Sequence, residues 1–188
     1  VKNGDTAAVA CDQYNRYPED VALLSRLGVD AYRFSISWPR LLPDGTGAVN
    51  IKGVDFYKRM IDELHRNNIT PYATLYHWDL PSALQKKGGW PSRSVLGWFE
   101  EYVETVIQHL GQHIQNFIVL NEPAVISYVG HHEGIHAPGL KNAEAMYATM
   151  HHLNMVHGQS YRQIKAALKG ATVASTYTHF PIYPIDDT

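Results

Sequence analysis

Helical and strand patterns alternate four times along this chain, and this alternation constrains its fold more than any other feature. Apolar residues recur at helical spacing in residues 17–28, 54–64, 95–110 and 143–168. Pro18 is expected in the first turn of the first helix, where its missing N–H is tolerated. Runs of β-forming residues follow the helices at 31–37, 70–78, 116–121 and 171–180. Four helix–strand units in a row predict parallel strands joined by right-handed crossovers.

Two α/β architectures fit such a pattern, a doubly wound open sheet and an eight-stranded barrel. A doubly wound nucleotide-binding fold should have a glycine-rich turn after a strand, and "PDGTG" at 43–47 lacks that spacing. Polar and aromatic residues instead follow successive strands, where the strand ends of a barrel meet at one mouth. They are Trp38, then His77, Trp78 and Asp79, then Asn121 and Glu122, then Thr178 and His179. We therefore predict an α/β fold, a (β/α)8 TIM barrel, of which residues 1–188 form one partial barrel domain of about four helix–strand units.

The bulk composition favours a globular protein and disfavours several classes of partner. Of the 188 residues, 45% are hydrophobic and 18% charged, and the net charge is -2 with no cluster of basic residues. We expect no nucleic-acid partner and no membrane attachment, since the longest apolar runs are too short to span a bilayer. Cys11 is the single cysteine, so no internal disulfide is possible. The first residues lack the layout of a signal peptide, which predicts a cytoplasmic location, and the missing initiator Met suggests a piece of a longer protein.

The stretch "FIVLNEP" at 117–123 places Glu122 directly after an apolar strand. Burial of an unpaired carboxylate costs several kcal/mol, so such a residue has a partner or a chemical role. Pro123 is expected to hold Glu122 extended, and Asn121 and Glu122 can both face the mouth only if the strand's pleat breaks there. General acid catalysis is one interpretation, and capping of a helix or pairing with Arg33 is the other.

Three further residues are candidates for contact with a substrate. Trp78 offers a flat apolar face for a ring, and His77 can donate hydrogen bonds to hydroxyl groups. A core histidine beside a packing tryptophan is the alternative interpretation. Arg33 lies in the otherwise apolar strand "AYRFSI" and needs an anion, either in a structural ion pair or on a substrate.

The eleven histidines raise the question of a metal site, chiefly in "GHHEGIH" (130–136) and "MHHLNMVH" (150–157). His152 and His157 are five residues apart, about 140° around a helix, whereas helical metal ligands fall three or four apart. No His-x-His pair ends a strand. We predict no catalytic metal and no cofactor, and keep a metal-dependent barrel hydrolase as the least favoured alternative.

Taken together, the motifs resemble those of the β-glucosidases of glycoside hydrolase family 1, which are retaining enzymes on a β/α barrel. The matching segments lie in order from end to end: "ACDQYNRYPEDVALLSRLGVDAYRFSISWPRLLPDGTGAVN", "PYATLYHWDLPSALQKKGGW", "LNEP", "GIHAPG" and "HHLNMVHG". The resemblance covers essentially all 188 residues and corresponds to roughly strands 2 to 5 of the barrel.

The resemblance implies a role for each matched position. Glu122 would be the general acid/base, and Asn121 would hold the sugar's 2-hydroxyl. His77 and Trp78 would bind sugar hydroxyls and shape the pocket. Arg33 would lie beside the nucleophilic carboxylate and favour its ionised form.

The second carboxylate of the family comes from a "TENG"-like motif late in the chain, and this sequence has none. A retaining enzyme needs that group about 5 Å from the acid/base. We therefore expect the chain to work with a complementary C-terminal half of the barrel on a β-glycoside or oligosaccharide, and to be inactive alone. A carbohydrate-binding or regulatory half barrel without catalysis is the main alternative.

Overall fold

The computed structural model describes residues 4, 6 and 8–179 as alternating helices and strands. Four parallel strands form one sheet in the order β1-β2-β3-β4. The elements are α1 (Gln13–Leu27), β1 (Ala31–Ser35), α2 (Trp38–Leu41), α3 (Ile51–Arg66), β2 (Thr70–Tyr76), α4 (Ser82–Lys86), α5 (Val95–Leu110), β3 (Asn116–Asn121), α6 (Pro123–His131), α7 (Ala143–Ala167) and β4 (Thr172–Thr176). The predicted parallel α/β sheet of a partial barrel is confirmed.

The two faces of the sheet differ in burial. Phe34, Ala73 and Phe117 pair across three strands and are 5%, 0% and 1% exposed under the helices. The next row, Arg33, Tyr72 and Thr172, is exposed on the opposite face. Parallel sheets are normally covered on both faces, whereas the described residues leave this row of the second face open, and Thr74 and Ile118 in the row after it are buried.

An aromatic cluster joins the helices to the covered face. Trp38 stacks on Tyr102 at a centroid distance of 4.9 Å, and its indole N–H donates to the Gly45 carbonyl at 2.9 Å. The Tyr102 hydroxyl donates to the carbonyls of Leu75 (2.7 Å) and Ile36 (3.3 Å). Trp38, expected at the mouth, is thus fully buried in the core, and its polar atom is used within the protein.

Helix α1 begins earlier than predicted. It starts at Gln13, so Pro18 lies inside the helix rather than in its first turn. Tyr14 and Tyr17 pack against Phe56 at centroid distances of 4.7 and 5.8 Å. This packing holds the early turn helical although Pro18 removes one backbone hydrogen bond.

Three strands end earlier than predicted, and three short helices were not predicted. Strand β1 stops at Ser35 and β2 at Tyr76, each two residues early, and β4 stops at Thr176. Of the predicted strand residues after Thr176, 177–179 lie in no strand and Phe180 lies outside the described residues. Helices α2, α4 and α6 have four, five and nine residues, too few to produce a clear helical period. Among the described helices, none is long and apolar enough to cross a membrane.

Candidate active site

Side chains from three strands meet at the carboxyl ends of the sheet. Arg33 Nη1 on β1 donates to Asn121 Oδ1 on β3 at 3.1 Å. Thr176 Oγ1 on β4 donates to the same oxygen at 3.0 Å, and Arg33 Nη1 lies 3.4 Å from Thr176 Oγ1. Asn121 is 4% exposed, so a nearly buried carboxamide forms the centre of this network.

Glu122 follows Asn121 in a left-handed backbone conformation, with φ 49° and ψ 65°. The prediction of an extended Glu122 is therefore wrong, because the chain turns directly from β3 into α6 and Pro123 becomes the first residue of that helix. The predicted break in the pleat is present, since the β3–β4 register is irregular between Ile118 and Asn121.

The two structural interpretations of Glu122 find no support among the described residues. Glu122 occupies the N-cap position of α6, but its side chain makes no capping hydrogen bond. Arg33 hydrogen-bonds to Asn121 and Thr176, and no described ion pair joins it to Glu122. Among the described residues, the half-buried Glu122 carboxyl group thus has no structural partner.

His77 faces the same region from the end of β2. Its Nδ1 lies 2.8 Å from Ser35 Oγ. Burial, helped by the charge of Arg33, lowers the pKa of His77 from 6.5, while Asp79 and Glu122 act in the opposite direction. The lowered pKa favours the neutral imidazole at pH 7.

Trp78 has φ 81°, and its indole N–H donates to the Asn121 carbonyl at 3.0 Å. Its ring lies 5.3 Å from His77 and 5.2 Å from His136 between centroids. Trp78 lines a cleft of about 450 Å³ together with Ser35, Ser37, His77 and Asp79. It also lines a mainly apolar cavity of about 580 Å³ between α4 and α6.

Asp79 is a half-buried acid two residues after His77. Burial raises its pKa from 3.8, whereas the Ser37 hydroxyl and the charges of His77 and Arg40 lower it. None of the described ion pairs involves Asp79.

The sequence interpretation missed Ser35, Thr176 and His136, which contact His77, Asn121 and Trp78. Ser35 and Thr176 each end a strand, and counting strand residues two by two would have placed them beside Arg33 and Asn121 on the open face. Thr178 and His179, expected at the mouth, are exposed and follow the end of β4.

Three histidines of the histidine-rich segments hydrogen-bond to other residues of the chain. His152 Nδ1 lies 2.8 Å from the Trp90 carbonyl, His157 Nδ1 lies 2.8 Å from Ser175 Oγ, and His131 Nδ1 lies 2.9 Å from the Ile126 carbonyl. The described part of the chain contains no group of three or more His, Cys, Asp or Glu side chains arranged to hold a metal ion.

Comparison with known proteins relates the whole chain to one family. The sequence model of Glycosyl hydrolase family 1 matches residues 1–188. The chain is 48% identical over 179 residues to Beta-glucosidase A of Thermotoga maritima, which covers 95% of this chain and 40% of the relative. It is equally identical, over 179 residues, to a 1,4-beta-D-glucan glucohydrolase of Thermotoga neapolitana, covering 95% of this chain and 42% of the relative.

Solved structures agree. The β-glucosidase of Thermotoga maritima in complex with castanospermine superposes with a TM-score of 0.97 at 46% identity, covering 100% of this chain and 42% of that one. The chain thus spans about two-fifths of the length of the relatives it matches. The family predicted from the motifs is confirmed, and this chain belongs to Glycosyl hydrolase family 1.

Proposed function

We propose that this chain supplies the acid/base part of a retaining β-glycosidase that removes terminal β-linked sugars. Glu122 is the general acid/base, Asn121 holds the 2-hydroxyl, and His77 and Trp78 bind the sugar and shape its pocket. The observation that carries the proposal is the convergence of these residues with Arg33 at one end of the sheet. The relatives named as β-glucosidases support the substrate class.

The reaction has two steps in this proposal. A carboxylate from outside this chain attacks the anomeric carbon as the glycosidic C–O bond breaks, and Glu122 gives its proton to the leaving oxygen. Glu122, now a carboxylate, then takes a proton from the water that attacks the anomeric carbon, and the carboxylate nucleophile leaves as its bond to the sugar breaks. Arg33 lies beside the incoming carboxylate and stabilises its negative charge.

The open face of the sheet supports a second half as the partner. Arg33, Tyr72 and Thr172 face outward from the described residues, whereas the interior of a complete barrel is filled by side chains. We infer that the complementary C-terminal half covers this face and brings the nucleophile, so that residues 1–188 are one partial barrel domain without turnover of its own.

Complementation tests this function. The 188-residue chain is co-expressed with the remaining part of the Thermotoga maritima β-glucosidase, and release of nitrophenol from a nitrophenyl β-glucoside is measured. Each half alone should be inactive and the pair active. Glu122→Gln should lower the rate on an unactivated alkyl β-glucoside by about 10²–10⁴-fold.

The leaving group distinguishes acid catalysis from a general loss of structure. A dinitrophenolate departs without a proton, so the first step with a dinitrophenyl β-glucoside should be much less sensitive to Glu122→Gln. The matched control, Glu133→Gln, changes a half-buried acid eleven residues along and should leave both rates unchanged. Equal losses on both substrates would refute the assignment of Glu122, and sugar binding by an inactive pair would favour a binding module.

A further inference from the structure

Thr176 contacts both residues of the Asn121–Glu122 pair. Its Oγ1 donates to Asn121 Oδ1 at 3.0 Å, and its backbone carbonyl accepts from the Glu122 N–H at 2.9 Å. Thr176 pairs with Asn121 across β3 and β4, just after the irregular part of the register. One residue on the neighbouring strand therefore ties down the side chain of Asn121 and the backbone of Glu122.

The chemistry of the partners determines which way the Asn121 carboxamide points. A guanidinium can only donate hydrogen bonds, so the Asn121 atom facing Arg33 is the oxygen. The Thr176 hydroxyl uses the remaining capacity of that oxygen. Among the described hydrogen bonds none uses Asn121 Nδ2, so the amide NH₂ is the group left to donate to a ligand.

We propose that Thr176 is a positioning residue for sugar recognition, which holds Asn121 with its NH₂ group toward the 2-hydroxyl and fixes the Glu122 backbone. This inference rests on the function proposed above. Arg33 reaches Asn121 with a long side chain from two strands away, whereas Thr176 is β-branched, has few rotamers and lies on the adjacent strand. Without its hydroxyl, the carboxamide has one flexible partner and loses its fixed orientation.

The backbone contact matters because Glu122 adopts a positive φ of 49°. Such a conformation is unfavourable for residues with a side chain and persists only where neighbouring contacts hold it. The hydrogen bond from Glu122 N–H to Thr176 is such a contact. It survives any substitution of the Thr176 side chain, so a side-chain variant tests the hydroxyl alone.

The bond to the 2-hydroxyl strengthens in the transition state of glycoside cleavage. A misoriented Asn121 should therefore lower kcat more than it raises KM. Loss of one oriented neutral hydrogen bond predicts a fall of about tenfold in kcat/KM. A substrate that lacks the 2-hydroxyl should show no such fall.

The experiment compares Thr176→Val with Thr176→Ser in the complemented protein. Valine keeps the shape and removes the donor, and serine restores the donor. Thr6→Val, the same change at an exposed position outside the sheet, is the control. Rates are measured on a nitrophenyl β-glucoside and on its 2-deoxy analogue. We expect a tenfold loss for Thr176→Val on the glucoside alone, with recovery for Thr176→Ser.

A second measurement on the chain itself separates this inference from the proposed function. The side-chain amide signals of Asn121 are recorded by NMR in each variant, and Thr176→Val alone should shift or broaden them. Unchanged amide signals, or equal rate losses on both substrates, would overturn the positioning role. An inactive pair whose Asn121 signals still respond to Thr176→Val would refute the glycosidase function and keep the positioning contact.

Discussion

Arg33 and Asn121 are hydrogen-bonded at 3.1 Å although they are 88 residues apart and lie on strands separated by β2. Neighbouring strands lie about 4.8 Å apart, so the Arg33 side chain spans roughly two strand spacings across the open face. The long Arg33 side chain and the Asn121 carboxamide together bridge that distance. The contact therefore reports both the architecture and the place where chemistry is expected.

The Tyr102 hydroxyl is expected to stabilise the core through its two backbone acceptors, Leu75 and Ile36. Tyr102→Phe removes a buried donor and leaves the Leu75 carbonyl without it, so the free energy of unfolding should fall by about 1–3 kcal/mol. Urea denaturation of the chain measures this. Tyr161→Phe, at a side chain that is 46% exposed, should change stability by less than about 0.5 kcal/mol. Equal effects of the two substitutions would contradict this account.

Two helical glycines should respond in opposite directions to alanine. A Cβ on Gly53 in α3 would collide with the Arg40 backbone oxygen, whereas a Cβ on Gly97 in α5 would meet no atom within 4 Å. Gly97→Ala should stabilise the chain by about 0.5–1 kcal/mol because alanine favours the helix. Gly53→Ala should destabilise it by at least about 1 kcal/mol, since backbone must move. Thermal unfolding of both variants checks the signs, and a stabilising Gly53→Ala would contradict the close approach.

Acid should weaken the folded chain as the pH falls below about 6.5, the reference pKa of histidine. Burial lowers the pKa of His77, His131 and His157, so below 6.5 the unfolded state binds more protons than the folded one. Each histidine contributes to the free energy of unfolding above pH 6.5. As the pH falls below 6.5, this contribution decreases by at most about 1.4 kcal/mol per pH unit. Urea denaturation between pH 7.5 and 5.5 measures the slope.

A variant of His131 tests how much of the change in stability with pH comes from this one histidine. His131 Nδ1 bonds to the Ile126 carbonyl, and the amide of asparagine can replace that donor without titrating. His131→Asn should therefore give a shallower loss of stability on acidification. Asp79 acts in the opposite direction at lower pH, because burial raises its pKa from 3.8. Stability that stays constant or rises from pH 7.5 to 5.5 would refute the histidine effect.

A charge on the open face should prevent complementation. Tyr72 is 37% exposed in the row with Arg33, and the second half is expected to bury it. Tyr72→Lys would place an unpaired ammonium in that interface at a cost of several kcal/mol, so restored activity should fall by more than about 100-fold. Tyr161→Lys on α7 should leave it unchanged. Activity insensitive to Tyr72→Lys would mean that the second half does not cover this face.

The order and type of the main elements were predictable because amphipathic periodicity records which side chains face the helices and which face the sheet. The short helices α2, α4 and α6 escaped because a period needs more residues than they have. The start of α1 was predicted too late, because proline usually lies in the first turn of a helix. The packing of Tyr14 and Tyr17 on Phe56 outweighs this preference and extends the helix before Pro18.

The sequence by itself determined the alternating helix–strand units and the family. It also placed four site residues at strand ends: His77, Trp78, Asn121 and Glu122. These follow from local spacing and from motifs that lie close together in the chain. The tertiary structure alone decided that Arg33 and Thr176 share one oxygen of Asn121, and that Glu122 turns through a left-handed conformation into α6. Those contacts join residues 55 and 88 positions apart, and they depend on strand order and register, which no local pattern encodes.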